Sequence, residues 1–174
     1  MDFWDVVNTR YSLRAFDPDA DVSPEEVDRL LAAALQAPSA GNCQPWHFFV
    51  VRNPALKRSL ASAAFGQGFV AQAPVVIVVC ADRPRSAARY GARGSELYCV
   101  QDTAAAAEHI LLGAVALGLG GCWVGAFDEG QAARVLRTPA HLRPVVILPL
   151  GKPVSDEAGR SRRRSLAEVV TYLD

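Results

Sequence analysis

No two cysteines in this sequence have the C-x-x-C spacing; the four thiols stand at Cys43, Cys80, Cys99 and Cys122. Thioredoxin-like redox chemistry and cysteine-rich zinc sites are therefore not expected. Cys80 and Cys122 lie within apolar runs and read as small buried hydrophobes. A disulfide framework is neither signalled nor needed in a chain of 174 residues. The three histidines, His47, His109 and His141, have no metal-ligand spacing, so no metal site is expected. Net charge is also lacking: 18 basic and 18 acidic side chains cancel, which removes the electrostatic case for nucleic acid or an anionic membrane as partner. No apolar run approaches the roughly 20 residues of a membrane span. The start, Met1-Asp2-Phe3-Trp4-Asp5, is acidic where a signal peptide would be basic. Neither a Ser-His-Asp set nor a pair of catalytic carboxylates stands out, and no repeat or low-complexity tract is present. These absences leave one globular domain, residues 1–174, 51% apolar, in a reducing, cytoplasmic compartment.

What is present reads as alternating helices and strands. Asp2 caps a short helix through Phe3, Trp4, Val6 and Val7. Asp17-Pro18-Asp19 is a turn. Ser23-Pro24-Glu25-Glu26 combines an N-cap, a first-turn proline and a Glu three residues on, and opens a helix with a stripe of Val27, Leu30, Leu31, Ala34 and Leu35. Trp46–Val51 reads as a buried strand. Asn53-Pro54 begins another helix with Leu56 and Leu60 inward, which Phe65–Phe69 breaks. Val75–Cys80 is apolar without alternation, the pattern of a strand covered on both faces. Asp82–Ser95 is polar, basic and interrupted by Pro84, Gly91 and Gly94, and reads as a mobile or functional excursion. Leu97–Leu119 is a long alanine-rich helix, apolar almost all round, which is either core or shared between subunits. Asp128–Leu136 is a short capped helix, Val145–Leu150 a last core strand, and Leu166–Leu173 a small amphipathic ending. On pattern alone a doubly wound α/β sheet stays open beside α+β.

Three stretches carry polar chemistry. Arg10-Tyr11-Ser12-Leu13-Arg14, if extended, turns Arg10, Ser12 and Arg14 to one face. Two guanidinium groups on one face repel unless an anion lies between them. The loop Pro38-Ser39-Ala40-Gly41-Asn42-Cys43-Gln44-Pro45-Trp46 offers Ser39, Asn42 and Gln44, side chains that both donate and accept. Gly151-Lys152-Pro153 is followed by Arg160, Arg162, Arg163 and Arg164. A fourth stretch, Gly118–Gly125, has the glycines of a phosphate loop but lacks the Lys-Ser/Thr and leads into a strand; the dinucleotide fingerprint fails as well, on spacing and for want of a preceding strand.

Together these stretches resemble the flavin-dependent nitroreductase family, whose pattern is R-x-S-x-R, P-S-x-x-N-x-Q-P-W, L-G-L-G-x-x-W and a basic pair before a short apolar ending. All four occur here in order over nearly the whole chain. The resemblance implies an α+β fold, a mixed central sheet covered by helices, in an intertwined homodimer. It implies FMN as cofactor, with NADH or NADPH as electron donor and a nitroaromatic, quinone or related small molecule as acceptor. Transfer would be ping-pong through flavin N5, the flavin itself carrying the chemistry. FMN also suits the residues: its phosphate takes arginines, its pyrimidine edge takes hydrogen bonds, and negative charge near N1 of the reduced ring favours a guanidinium, with Arg14 the candidate. The family implies that Arg10, Ser12 and Arg14 contact the flavin from one subunit. Ser39, Ala40 and Asn42 would reach it from the other, with Gln44 supporting the loop. Gly120 and Gly121 would lie along the flavin by their backbones. The basic pair maps to Arg163 and Arg164, with Arg162 a rival in register. Some relatives carry a longer insertion near 82–95, here short. Two alternatives stay open: a flavin-binding carrier or sensor without turnover, and a specialised relative that fragments flavin or removes halogen.

Overall fold

The computed structural model describes residues 1–155 and 161–173. In chain order the elements are α1 (Phe3–Thr9), α2 (Pro24–Ala34), a 3-10 turn (Ala40–Asn42), β1 (Trp46–Val51), α3 (Pro54–Ala63), α4 (Phe69–Gln72), β2 (Val75–Asp82), α5 (Arg83–Arg93), a π turn (Gly94–Tyr98), α6 (Cys99–Ala116), β3 (Gly120–Gly121), α7 (Glu129–Leu136), β4 (Leu142–Gly151) and α8 (Leu166–Val169). Helix starts sit where the caps put them. Asp2 and Asp5 form a capping box on α1. On α2 the Ser23 hydroxyl accepts from Glu26 N at 3.1 Å while the Glu26 carboxylate accepts from Ser23 N at 2.7 Å. Asn53 and Asp128 cap α3 and α7 in the same way, each accepting a first-turn N–H.

The sheet runs in the order β1-β2-β4-β3 and each of its ladders is antiparallel. The fold is α+β, not doubly wound. Among the described residues the parallel component of the sheet is one isolated bridge, Ser12 to Gly121. β2 lies between β1 and β4 with Val75 to Ala81 buried. Val75, Ile77 and Val79 face a core shared with α2 and α6, including Leu30, Ile110 and Leu111. Val76, Val78 and Cys80 face a second core with Leu60, Val70, Ala132 and Leu13. This is why the strand is apolar at every position: its two faces carry two cores, and each fully buried aliphatic side chain contributes about 1.5–3 kcal/mol. Pro144, which has no N–H to give the ladder, pairs with Cys80 at a register shift that follows the Val79–Val146 pair.

The structure departs from the sequence pattern at several places. β1 is an edge strand in which Val51 alone is buried, not a buried strand, because only β2 flanks it. Leu35 is 52% and Leu56 38% exposed, so both lie outside the stripes assigned to them. Residues 83–93 form a helix, with Asp82 as N-cap and Pro84 in the first turn; Gly91 absorbs the kink at φ 56°. The long helix begins at Cys99, after the π turn, and ends at Ala116. One side of it is buried between α2 and the sheet, while Val100, Ala104 and Ala105 are only half-buried. At the chain ends apolar side chains lie open: Phe3, Trp4 and Val7 on α1, and Leu166, Val169, Val170, Tyr172 and Leu173 near the C-terminus.

β3 holds the N-terminal segment to the sheet. Leu13 N donates to Gly121 O at 3.0 Å. A Cβ on Gly120 would come within 2.8 Å of Leu13 Cδ2, and one on Gly121 within 3.0 Å of Pro149 O. Gly121→Ala is therefore expected to destabilise the chain by about 1–3 kcal/mol through overpacking. Urea unfolding measures this, and an unchanged midpoint would mean that the backbones are not this close.

Candidate functional site

The pairing of Ser12 and Leu13 with β3 decides where the R-x-S-x-R side chains go. Leu13 is buried, and Arg10, Ser12 and Arg14 turn to the opposite side, as the extended reading required. They line a cavity of about 510 Å³ together with Val7, Asn8 and Tyr11 of the same segment and Ser161 and Arg163 of the C-terminal segment. The two basic clusters, about 150 residues apart in the chain, thus meet. Among the described residues no carboxylate lines this cavity and none forms an ion pair with Arg10, Arg14 or Arg163. The Arg14 guanidinium stands 5.8 Å from the centre of the Phe69 ring at the start of α4, a cation–π contact that fixes its direction. A second hollow of about 330 Å³, lined by Tyr11, Ser12, Arg14 and Val154 among others, continues from the first.

The C-terminal register follows from the same geometry. Arg163 faces the cavity; Arg162 does not line it. Arg164 turns away to Glu168, donating to its carbonyl at 2.8 Å. Arg160 lies outside the described residues.

The 38–46 loop sits elsewhere in the chain and lines neither hollow. It is a tight turn with its own internal order. Gly41, Asn42 and Gln44 all take left-handed backbone angles, φ 54°, 55° and 50°. Gln44 N donates to Ser39 Oγ at 3.0 Å, and the Gln44 amide donates to Asn42 Oδ1 at 3.0 Å. These bonds brace the loop from within, and among the described residues neither the Asn42 NH₂ nor the Ser39 O–H donates to another group. The turn is also gripped from two helices. Arg85 and Arg89 of α5 donate to the carbonyls of Cys43 and Gly41, the latter at 2.9 Å. From α6, Asp102 Oδ1 accepts from Ala40 N at 3.0 Å. Asp102 is buried, and burial pushes its carboxyl above the usual range against the pull of the Ala40 N–H.

Gly120 and Gly121 are fully packed behind the R-x-S-x-R segment. Their lack of side chains is required by Leu13, Leu150 and Pro149. Cys122 lies just beyond them; burial pushes its thiol up, and Arg14 opposes that only in part. The Cys80 thiol is pushed up to about 12 by burial. Both are protonated at neutral pH and unreactive. No group of three or more metal-ligating side chains comes together among the described residues.

The nitroreductase family model matches residues 7–68 and 62–152, most of the chain and all of the loop and sheet just described. The chain belongs to the nitroreductase family. A protein of Archaeoglobus fulgidus is 37% identical over 157 residues, which span 87% of this chain and 86% of that protein. The NADH dehydrogenase of Thermus thermophilus is 36% identical over 191 residues, spanning 94% and 92%. Among solved structures, the NfrA1 nitroreductase of B. subtilis superposes with a TM-score of 0.86 at 27% identity, covering 98% of this chain and 73% of that one.

In this member of the nitroreductase family the sequence reading missed the grip on the loop. Arg85 and Arg89 stand at i and i+4, the spacing that puts two side chains on one helix face, but the prolines and glycines around them hid the helix. In the sequence Asp102 is one of several polar residues in the first half of an alanine-rich helix, beside Gln101, Thr103 and Glu108, and nothing local sets it apart. The loop geometry has a direct consequence at Gly41. A Cβ there would meet Tyr90 and lie 2.7 Å from Arg89 Nη1, at a backbone angle that side chains resist. Gly41→Ala is expected to cost about 1–3 kcal/mol in chemical denaturation, and wild-type stability would contradict the turn as described.

Proposed function

We propose that this chain is an FMN-dependent NAD(P)H oxidoreductase that reduces nitroaromatics, quinones or a related small acceptor. The observation that carries the reading is the convergence of Arg10, Arg14 and Arg163 on one cavity free of carboxylates among the described residues. Such a cradle favours a dianionic phosphate, since each guanidinium gives paired N–H groups to oxygen. In this reading Arg10 and Arg163 hold the phosphate, and Ser12 gives its hydroxyl to the cofactor. Arg14, its direction set by Phe69, stabilises negative charge at the ring edge near N1. Arg164, the other half of the basic pair, is the weaker candidate because Glu168 occupies it. Ser39, Ala40 and Asn42, with Gln44 behind them, bind the pyrimidine edge. Gly120 and Gly121 back the segment that carries Ser12. When bound, FMN supplies at N5 the hydride-accepting and hydride-donating atom that no side chain of this chain provides. The acidic, basic and nucleophilic side chains need perform no chemical step of their own. The Thermus thermophilus relative is named for NADH; NADH and NADPH are both donors under this reading.

The cofactor test is direct. Purified protein should hold FMN near one per chain. Arg163→Ala should weaken it roughly ten- to hundredfold, the worth of a charged hydrogen bond, and Arg162→Ala should leave it nearly unchanged. Anaerobic NADH or NADPH should bleach the yellow colour, and initial-rate plots with an acceptor should run parallel, since one site serves donor and acceptor in turn. Binding without bleaching by either donor would make the chain a carrier or sensor; no FMN binding would remove the reading.

The same reading makes the active unit a homodimer with sites built from both chains. Supporting it, the loop lines neither hollow of its own chain, and apolar residues of α1 and of the C-terminal segment, Trp4 at 69% and Leu173 at 92% among them, are exposed in the single chain, where a second copy would cover them. No described helix is long and apolar enough to cross a membrane, and the unpaired thiols fit the reducing cytoplasm. If Arg14 and Asn42 serve one flavin from different chains, Arg14→Ala and Asn42→Ala proteins should each be poor in FMN. Mixed and allowed to exchange subunits, they should regain part of the activity through heterodimers with one intact site. A monomer in sedimentation that still binds FMN would defeat the dimer, and exchange without recovery would defeat the shared site.

A further inference from the structure

Asp102 has no part in the reading above, and its surroundings are unusual for a carboxylate. It is 6% exposed on α6, on the face that also buries Cys99, Ala106 and Ile110. One oxygen accepts from Ala40 N at 3.0 Å; the other is buried with no partner among the described residues. A group chosen for packing alone would be apolar here, because an unpartnered buried oxygen detracts from stability. What the carboxylate does achieve lies 62 residues away in the chain. The 3-10 turn at Ala40–Asn42 begins with donors that need an acceptor, and the residue before it, Ser39, makes no side-chain cap to the turn. Ser39 Oγ accepts from Gln44 N instead. Asp102 thus satisfies the first donor of the turn, Ala40 N, from a rigid helix already fixed between α2 and the sheet.

We infer that Asp102 is the positioning residue of the loop: by capping Ala40 N from the core it holds Ser39 and Asn42 in their ligand-binding arrangement. The ligand part of this rests on the assignment of the loop to FMN; the capping part does not. Arg85 and Arg89 grip the turn from its outer side through carbonyls, so Asp102 sets the donor end of the turn and α5 the acceptor end.

The test compares Asp102→Ala with Asp102→Asn in the full chain. Asn keeps a carbonyl oxygen at the same place and loses only the charge. Site-resolved hydrogen exchange without ligand should show the Ala40 amide exchanging about tenfold faster in the Ala variant, the worth of one such bond, with the amides of α2 unchanged. The FMN dissociation constant should rise by a similar factor. Asp102→Asn should restore most of both. Should the Ala variant fail to fold, Asp102→Leu fills the volume without an acceptor and takes its place. Unchanged Ala40 exchange, or an Asn variant as defective as the Ala variant, would overturn the inference. Faster exchange with undiminished FMN affinity would overturn the ligand-positioning role. A wild-type chain that binds no FMN would instead defeat the proposed function, and the ligand-free exchange comparison would still decide whether Asp102 caps the turn.

Discussion

Burial of β2 on both faces is the constraint from which the other elements take their places. A strand with Val75 to Ala81 buried must have helices above and below it and a partner on each edge. α2 and α6 cover one face; α3, α4, α7 and the R-x-S-x-R segment cover the other. The candidate site is divided by this arrangement. Asp102, on the α6 side, holds the loop. Leu13 and Phe16, on the opposite side, carry the arginine segment across the sheet edge as a by-product of filling the second core. Functional side chains on both sides are displayed by residues whose first task is hydrophobic.

Polar order in the site comes from backbone groups more than from side-chain pairs. The loop has no ion pair; it is held by carboxylate and guanidinium groups that bind its N–H and C=O groups. This leaves the side chains of Ser39 and Asn42 with hydrogens to spare. The arginine cavity follows the opposite rule. There the charged groups are left without acidic neighbours among the described residues; Arg14 is steadied by an aromatic ring and Arg163 by the Ser161 carbonyl, neither of which neutralises its charge. One part of the site is a braced turn held through its backbone, the other a concentration of positive charge.

Features set by short-range chemistry were legible in the sequence. The caps at Asp2, Ser23, Asn53 and Asp128 were readable because the partner is two or three residues away. So was the double burial of β2, since its cause appears as an unbroken apolar run. The edge position of β1 was not, because Trp46–Val51 is as apolar as an interior strand and its exposure depends on which strands flank it. Helix α5 was hidden by Pro84 and Gly91, read as breaks, although a proline in the first turn favours a helix and the glycine only bends it. Of the motif residues, the structure brings Arg10, Ser12 and Arg14 to one cavity with Arg163, which the C-terminal run alone did not single out. Asp102 could not be found by local reasoning, since its partner is 62 residues distant.

The Ser12–Gly121 bridge and the approach of Arg163 to Arg10 also govern when the site comes into being. Its side chains come from segments about 150 residues apart, so during synthesis the earlier segment must wait for the later one. Contacts of such sequence separation form late, because the loop between them must close first. Helices such as α2 can form early, whereas the cationic cavity has no counterpart in any partial chain that ends before Arg163. Once synthesis has passed Arg163, closure of the sheet edge on the N-terminal segment completes the cationic cavity.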